Sequence, residues 1–178
     1  MGKIILFEEK NLQGRSTELT SDCTDISSIL SRVQSVRVES GCFMVYERTN
    51  FLGMQVFLRR GEYPDIQRLL SMGITLDNIR SLRLIPTHRG PFRMRIYERE
   101  NLSGQMNELV EDCESILDRF RMSDCQSVQV LEGNWLLFEQ PQFRGRMILV
   151  RPGEHKSVSS MGLSSMRIMS MRRITDMC

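Results

Sequence analysis

A nucleophilic serine or cysteine needs a nearby base, and histidine is the usual one. The sequence contains two, His88 and His155. His88 lies in a segment rich in proline and glycine, and His155 lies in a predicted turn, so a surface position explains both. The sequence contains no Gly-x-Ser-x-Gly, His-Glu-x-x-His, P-loop or Gly-x-Gly-x-x-Gly motif. We therefore predict no catalytic residues and no enzyme activity.

Cysteine is the other residue type that could act as a nucleophile or bind a metal. The five cysteines are Cys23, Cys42, Cys113, Cys125 and Cys178. Their number is odd and none forms a Cys-x-x-Cys pair, which is typical of reduced thiols rather than of a disulfide framework or a zinc site. The sequence thus predicts neither a metal site nor a cofactor.

The regularly placed acids belong to a pattern that occurs four times. In each copy a Phe or Tyr precedes a Glu, and a glycine follows the aromatic residue at a distance of seven. About twenty to thirty residues further on, a serine opens a strand. The four glutamates are Glu8, Glu47, Glu98 and Glu139. The aromatic, glycine and serine sets are Phe7, Gly14 and Ser35; Tyr46, Gly53 and Ser81; Tyr97, Gly104 and Ser127; and Phe138, Gly145 and Ser170. This constant spacing indicates an internal repeat, and one glutamate per repeat indicates a structural role rather than an acid–base pair.

Each repeat predicts the same folded hairpin. An alternating strand leads to the aromatic residue, and polar residues and the glycine follow. The glycine is expected at positive φ, where the hairpin folds over so that the aromatic ring can cover it. The serine hydroxyl is expected to hydrogen-bond the backbone of this hairpin. The three residues then form one structural device per repeat.

Paired similarities between repeats predict two domains. Repeats two and four share Arg-x-Gly-Glu, at 59–62 and 151–154, while repeats one and three share Asp-Cys, at 22–23 and 112–113. The order is therefore ABAB, and each half is long enough to bury its own core. The predicted boundaries are an N-terminal domain 1–84 with repeats 3–40 and 41–84, a linker 85–91, and a C-terminal domain 92–178 with repeats 92–132 and 133–176.

Short strands at even spacing, glycine-rich turns and the absence of a long amphipathic helix predict an all-β fold. Each domain is expected to be a β-sandwich of two Greek-key motifs. The formal charge of +2 comes from 24 basic and 22 acidic residues without a long run of one sign, so no nucleic-acid partner is expected. No stretch approaches the length of a membrane span, and no signal peptide precedes the first strand, which favours the cytosol.

The four patterns in ABAB order, with Gly41-Cys42-Phe43 and Gly133-Asn134-Trp135, resemble the βγ-crystallins over nearly the whole chain. The thirteen methionines and the short linker are similar to those of the methionine-rich γM-crystallins of fish lenses. The resemblance implies a monomeric structural constituent of the eye lens, in the cytoplasm of lens fibre cells. It further implies a refractive protein that associates weakly with itself and with other crystallins at high concentration.

Apolar residues at matching positions are predicted to join the two domains. Met44 and Phe57 lie ninety-two positions before Leu136 and Leu149. By resemblance, Ile85 and Ile174 complete this apolar patch.

The alternative function is a calcium-binding βγ-crystallin module. Microbial relatives bind calcium through Asn/Asp-Asn/Asp-x-x-Ser/Thr-Ser, whose last serine aligns with the serine of each repeat. The preceding position holds Gln34, Arg80, Gln126 and Met169. Asp77 is the one acid at the first two positions of the motif. Since Ca²⁺ takes six to eight oxygen ligands, this loop is expected to bind it poorly.

Methionine has two possible roles in this sequence. Its thioether sulfur is polarizable, which favours a refractive role, but methionine also fills irregular gaps in cores. Four methionines close to the end of the sequence exceed what one core face needs, so we expect some of them at the surface. They are Met166, Met169, Met171 and Met177.

Overall fold

The computed structural model describes residues 2–69 and 75–178 of the chain. The chain forms two compact units. The first comprises Met1–Thr87 together with Asp176–Cys178, and the second comprises His88–Thr175. The domain boundaries given above stay a prediction, and nothing in the sequence pattern indicated that the last three residues group with the first unit.

The first unit contains two antiparallel sheets, with strand orders β2-β1-β3-β6 and β5-β4-β7. The strands are β1 Lys3–Glu9, β2 Gln13–Leu19, β3 Ser35–Ser40, β4 Cys42–Arg48, β5 Leu52–Leu58, β6 Gly61–Tyr63 and β7 Ser81–Ile85. Short 3-10 helices lie at Ile26–Ser28 and Ile66–Arg68, whereas Thr49–Phe51 is a turn in which Asn50 and Phe51 have positive φ.

The second unit repeats this arrangement, with strand orders β13-β10-β8-β9 and β12-β11-β14. The strands are β8 Arg93–Arg99, β9 Ser103–Leu109, β10 Ser127–Glu132, β11 Trp135–Gln140, β12 Arg144–Val150, β13 Gly153–His155 and β14 Ser170–Arg173. One α-helix, α1, covers Ile116–Phe120, and a 3-10 helix covers Ser159–Met161.

The two repeats of each unit exchange strands. In the first unit β6, from the second repeat, pairs with β3 of the first, and Cys23 of the first repeat bridges to Leu82 on β7. In the second unit β13 pairs with β10, and Cys113 bridges to Met171 on β14. Each repeat thus supplies backbone to both sheets of its unit. The predicted all-β fold of paired Greek keys is confirmed.

The core of the second unit lies between its two sheets. It takes alternate apolar residues from both sheets, such as Met94 and Val128 on one and Leu137 and Ile148 on the other. Trp135 is fully buried within it and donates its indole N–H to the carbonyl of Glu132 at 3.2 Å. No helix in the described part of the chain is both long and apolar enough to cross a bilayer.

The six residues predicted to join the domains are all buried. They are Met44, Phe57, Ile85, Leu136, Leu149 and Ile174. Met44 lies opposite Phe57 in the β4–β5 pair, and Leu136 lies opposite Leu149 in the β11–β12 pair. Three of the six, Leu136, Leu149 and Ile174, lie outside the core cluster of the second unit. Their role in joining the domains stays a prediction.

Most of the methionines are buried. Among the eleven in the described residues, those at most 7 % exposed are Met44, Met94, Met122, Met147, Met161, Met166, Met169 and Met171. Met106 and Met177 are exposed, and Met54 is half-buried. Of the four methionines close to the end of the sequence, Met177 is therefore at the surface, as expected for some of them, and Met166, Met169 and Met171 are buried. In the segment that leads to β14, the consecutive residues Ile168 and Met169 are both buried, so apolar residues are needed on more than one side of the backbone.

Candidate functional site: four folded hairpins

The hairpin after the first strand of each repeat contains a register shift. In the third repeat Tyr97 lies opposite Met106, but Arg99 lies opposite Ser103, so the strand bulges between them. The other three hairpins shift at the equivalent positions, Phe7/Glu9, Tyr46/Arg48 and Phe138/Gln140. This bulge turns the loop back over its own strand.

Two residues other than glycine adopt the left-handed conformation in each loop. In the third repeat Asn101 and Leu102 have φ of 58° and 55°, and Gly104 follows at 80°. The equivalent residues are Asn11, Leu12 and Gly14; Asn50, Phe51 and Gly53; and Gln142, Phe143 and Gly145. The left-handed region costs a residue with a Cβ roughly 1–2 kcal/mol, so other contacts must hold each loop. The glycines were singled out in the sequence, but the left-handed pairs before them were missed, although asparagine in three of the four pairs is a signal for that conformation.

The serine of each repeat holds both sides of the loop. The Ser127 hydroxyl accepts a hydrogen bond from Leu102 N at 2.9 Å and donates one to Arg99 O at 2.6 Å. The other three hydroxyls do the same: Ser35 with Leu12 N and Glu9 O, Ser81 with Phe51 N and Arg48 O, and Ser170 with Phe143 N and Gln140 O. All four serines are fully buried. One side chain therefore satisfies a donor and an acceptor that the bulge removes from the strand ladder.

The glutamate and the aromatic ring cover different parts of the loop. A Cβ added at Gly104 would lie 2.9 Å from Glu98 Oε1, and one at Gly145 would lie 3.1 Å from Glu139 Cβ. In the second and fourth repeats the aromatic ring contacts a left-handed residue of the loop. The ring centroids of Tyr46 and Phe51 are 5.6 Å apart, and those of Phe138 and Phe143 are 5.7 Å apart. In these hairpins the ring lies over the left-handed pair, and at Gly104 and Gly145 the nearest side chain is the glutamate.

The fourth hairpin also contains a charge-assisted contact. Arg146 Nη2 lies 2.7 Å from Glu139 Oε2, and the backbone N of Arg146 donates to Glu139 Oε1 at 3.2 Å. Hydrogen bonding to Arg146 holds the pKa of the Glu139 carboxyl below its usual value. The glutamate is therefore charged at neutral pH and bridges the two strands of its hairpin.

Backbone hydrogen bonds tie each hairpin to the other repeat of its unit. Asn101 N donates to Lys156 O at 2.8 Å, and Gln142 N donates to Glu114 O at 2.8 Å. In the first unit the same bonds run from Asn11 N to Pro64 O and from Asn50 N to Thr24 O, both at 2.9 Å. Sequence reasoning missed this reciprocal link, because a backbone-to-backbone bond requires no particular side chain.

Both histidines contact nearby backbone carbonyl groups. His88 Nε2 lies 2.7 Å from Pro91 O, and His155 Nε2 lies 2.7 Å from Arg151 O. In each case the ring nitrogen must carry the proton that bonds the carbonyl. The prediction of a turn is wrong for His155, which is the last residue of β13 and pairs with Val128. Neither arrangement is that of a base beside a nucleophile.

Two side chains at the third position of the aligned calcium motif, Asn78 and Asp124, accept hydrogen bonds from backbone N–H groups, whereas Asp77 at the second position is exposed. Asn78 Oδ1 accepts hydrogen bonds from the backbone N of Val33 and of Ile79, both at 2.9 Å. Asp124 Oδ1 accepts from Cys125 N at 2.7 Å and from Ile168 N at 3.4 Å. Within the described residues no group of three or more potential metal-ligating side chains occurs.

The cysteine prediction is wrong for two residues. Cys42 and Cys178 form a disulfide across a sequence separation of 136, whereas Cys23, Cys113 and Cys125 are free. Burial raises the pKa of Cys125 to about 12 and also raises that of Cys113, so both thiols are unreactive near neutral pH. Two cysteines so far apart in the sequence form no recognisable spacing motif. Only the folded chain brings them close enough to form a disulfide.

Comparison with known proteins identifies close relatives. The family described as Beta/Gamma crystallin matches residues 3–85 and 93–174. The chain is 62% identical to Gamma-crystallin M1 of Cyprinus carpio and 63% identical to Gamma-crystallin M1 of Chiloscyllium indicum, over 178 residues and the full length of both partners in each comparison. It is 49% identical over 177 residues to Gamma-crystallin B of Homo sapiens, which covers 99% of each chain.

Proposed function

Because this chain belongs to the beta/gamma crystallin family, we infer that it is a structural constituent of the eye lens and not an enzyme. The observation that carries this conclusion is the identity of 62% to a γM-crystallin over the full length of both chains. The four hairpins serve that role as structural elements, because in each a buried serine holds a loop with left-handed residues.

The buried methionines suit a refractive protein. A polarizable sulfur atom contributes to the refractive increment wherever it lies in the fold. An exposed apolar side chain also adds to surface patches that favour association, whereas a buried one does not. Eight of the eleven described methionines are buried, so this chain carries much of its polarizable sulfur without making its surface more adhesive.

The charged surface mixes both signs. Arg93 and Arg95 both contact Glu108, at 3.0 and 3.1 Å, and they hold the pKa of its carboxyl below the usual value by hydrogen bonding. Lys3 lies between Glu18 and Glu39, at 3.3 and 3.4 Å. With a net charge of +2, and with salt screening charge beyond about 8–10 Å, long-range repulsion between copies is weak. Contacts between neighbouring molecules then depend on short-range complementarity.

As part of this proposal, the protein acts as a monomer in the cytoplasm of lens fibre cells. It associates weakly with itself and with other crystallins at high concentration. The support for these points is the family resemblance together with the small net charge. Quantitative immunodetection in dissected tissues tests them, since the protein should be abundant in lens fibre cells and scarce elsewhere. Comparable levels in other tissues would contradict the lens assignment.

Replacing the eight buried methionines by leucine should lower the refractive increment, because each change removes a sulfur atom at nearly constant volume. The second virial coefficient should stay close to that of the parent, since the surface is unchanged. Differential refractometry and static light scattering measure the two quantities. The matched control replaces exposed Met106 and Met177 by leucine, which should alter the virial coefficient more than the increment. If the increment of the eight-residue variant equals that of the parent, the methionines serve only as core filler.

Calcium at millimolar concentration should leave the unfolding midpoint unchanged. A ligand that binds the folded state alone stabilises it by RT ln(1 + [L]/Kd), and the aligned motif offers Asp77 as the one acid at its first two positions. Differential scanning fluorimetry with calcium, magnesium and a chelator measures the shift. A rise with calcium but not with magnesium would favour the alternative, a calcium-binding crystallin module.

A further inference from the structure

The last three residues of the sequence are fastened to the first unit. Asp176 Oδ2 lies 3.4 Å from Arg59 Nη2, and the Met177 carbonyl oxygen lies 3.8 Å from Cys42 Sγ. Cys178 completes the attachment through its disulfide with Cys42 on β4. An ion pair, a backbone contact and a covalent bond therefore act on three consecutive residues, Asp176–Cys178.

The two sulfurs of this disulfide differ in accessibility. Cys42 is fully buried, while Cys178 is half-exposed. A reagent in solution therefore meets Cys178 first, and Cys42 is placed to resolve the product. Two of the remaining cysteines, Cys113 and Cys125, are buried, which leaves Cys23, half-exposed like Cys178, as the natural control.

We propose that Cys42 and Cys178 form a redox-controlled latch that fastens the end of the chain to β4, closed by a low-molecular-weight disulfide such as glutathione disulfide. The Cys178 thiolate attacks one sulfur of glutathione disulfide, which forms a mixed disulfide and releases one glutathione thiolate. The Cys42 thiolate then attacks Cys178 Sγ, forms the internal disulfide and releases the second glutathione. Two protein thiols lose two protons and two electrons, and one glutathione disulfide gains them.

Closing the latch has two consequences. The covalent loop spans 136 positions and contains the whole of the second unit, so it restricts the unfolded chain far more than a local disulfide would. It also consumes the accessible Cys178 thiol, which in the reduced protein is free to form a disulfide with another molecule. The latch therefore stabilises the chain and removes the Cys178 thiol from intermolecular cross-linking under oxidising conditions, while Cys23 stays free.

The test uses the full chain, reduced and then incubated with glutathione disulfide. A non-reducing tryptic digest should contain peptide 38–48 linked to peptide 174–178. N-ethylmaleimide added in denaturant should label five cysteines before oxidation and three afterwards. The urea midpoint of the oxidised protein should be higher than that of the reduced protein.

Two variants separate the latch from general thiol chemistry. Cys178→Ser leaves the folded core untouched because the position is half-exposed, and it should take four labels and show the same urea midpoint before and after oxidation. Cys23→Ser should still form the linked peptide and gain the midpoint shift. A stable glutathione adduct on Cys178 or a linkage that involves Cys23 would overturn the proposal. So would an equal midpoint for the oxidised and reduced parent.

Discussion

Gly104→Val should lower the free energy of unfolding of the second unit by about 3 kcal/mol or more. Gly104 has φ of 80°, a conformation that a β-branched residue takes only with strain. An added Cβ would also lie 2.9 Å from Glu98 Oε1 and 3.1 Å from Arg99 Nε, so neighbouring side chains would have to move. Urea unfolding followed by the fluorescence of Trp135, the single tryptophan, measures the change within the second unit.

Glu98→Ala provides the matched background for Gly104, because it removes the side chain whose Oε1 lies 2.9 Å from an added Cβ. Gly104→Val should cost less in the Glu98→Ala protein than in the parent, since the backbone strain and the contact with Arg99 remain and the contact with the glutamate Oε1 does not. Equal costs would mean that the covering glutamate contributes nothing. A Gly104→Val protein as stable as the parent would contradict the role of the glycine in the folded hairpin.

The constancy of the spacing explains how much of this fold could be predicted. An aromatic residue and a glycine seven positions apart, four times over, indicate repeated hairpins whatever the residues between them. The ABAB order then favours two units of two repeats, and short strands with glycine-rich turns favour an all-β sandwich. These inferences depend on backbone geometry, which restricts residue type strongly at a few positions.

Other features of the structure have no corresponding residue pattern in the sequence. The bond from Asn101 N to Lys156 O joins two backbones and is compatible with any side chain except proline at the donor. The disulfide joins Cys42 to a residue 136 positions away, and five cysteines allow many pairings. The sequence could not indicate which of the methionines near its end are buried, because the segment before β14 has no simple alternation and its consecutive residues Ile168 and Met169 are both buried. In each case the missing information is long-range geometry.

Ser127→Ala should lower the free energy of unfolding of the second unit by about 2 kcal/mol. The Ser127 hydroxyl makes two hydrogen bonds, and its removal leaves Leu102 N and Arg99 O without this partner. Alanine fills nearly the same space, so the loss reflects hydrogen bonding rather than a cavity. The matched control is Ser103→Ala in the same hairpin, whose exposed hydroxyl donates to Glu100 O at 2.7 Å. That change should cost less than about 0.5 kcal/mol.

The double variant Ser127→Ala with Gly104→Val tests whether the hairpin acts as one structural unit. Ser127 stabilises the left-handed residue Leu102, and Gly104 lies two positions further along the same loop. If Gly104→Val already opens the loop, the hydroxyl has less left to stabilise, and the two costs should sum to more than the double variant loses. A coupling of about 1 kcal/mol is expected for residues that share one loop. Strict additivity in urea unfolding followed by Trp135 fluorescence would mean that serine and glycine act independently, although both lie in the same folded hairpin.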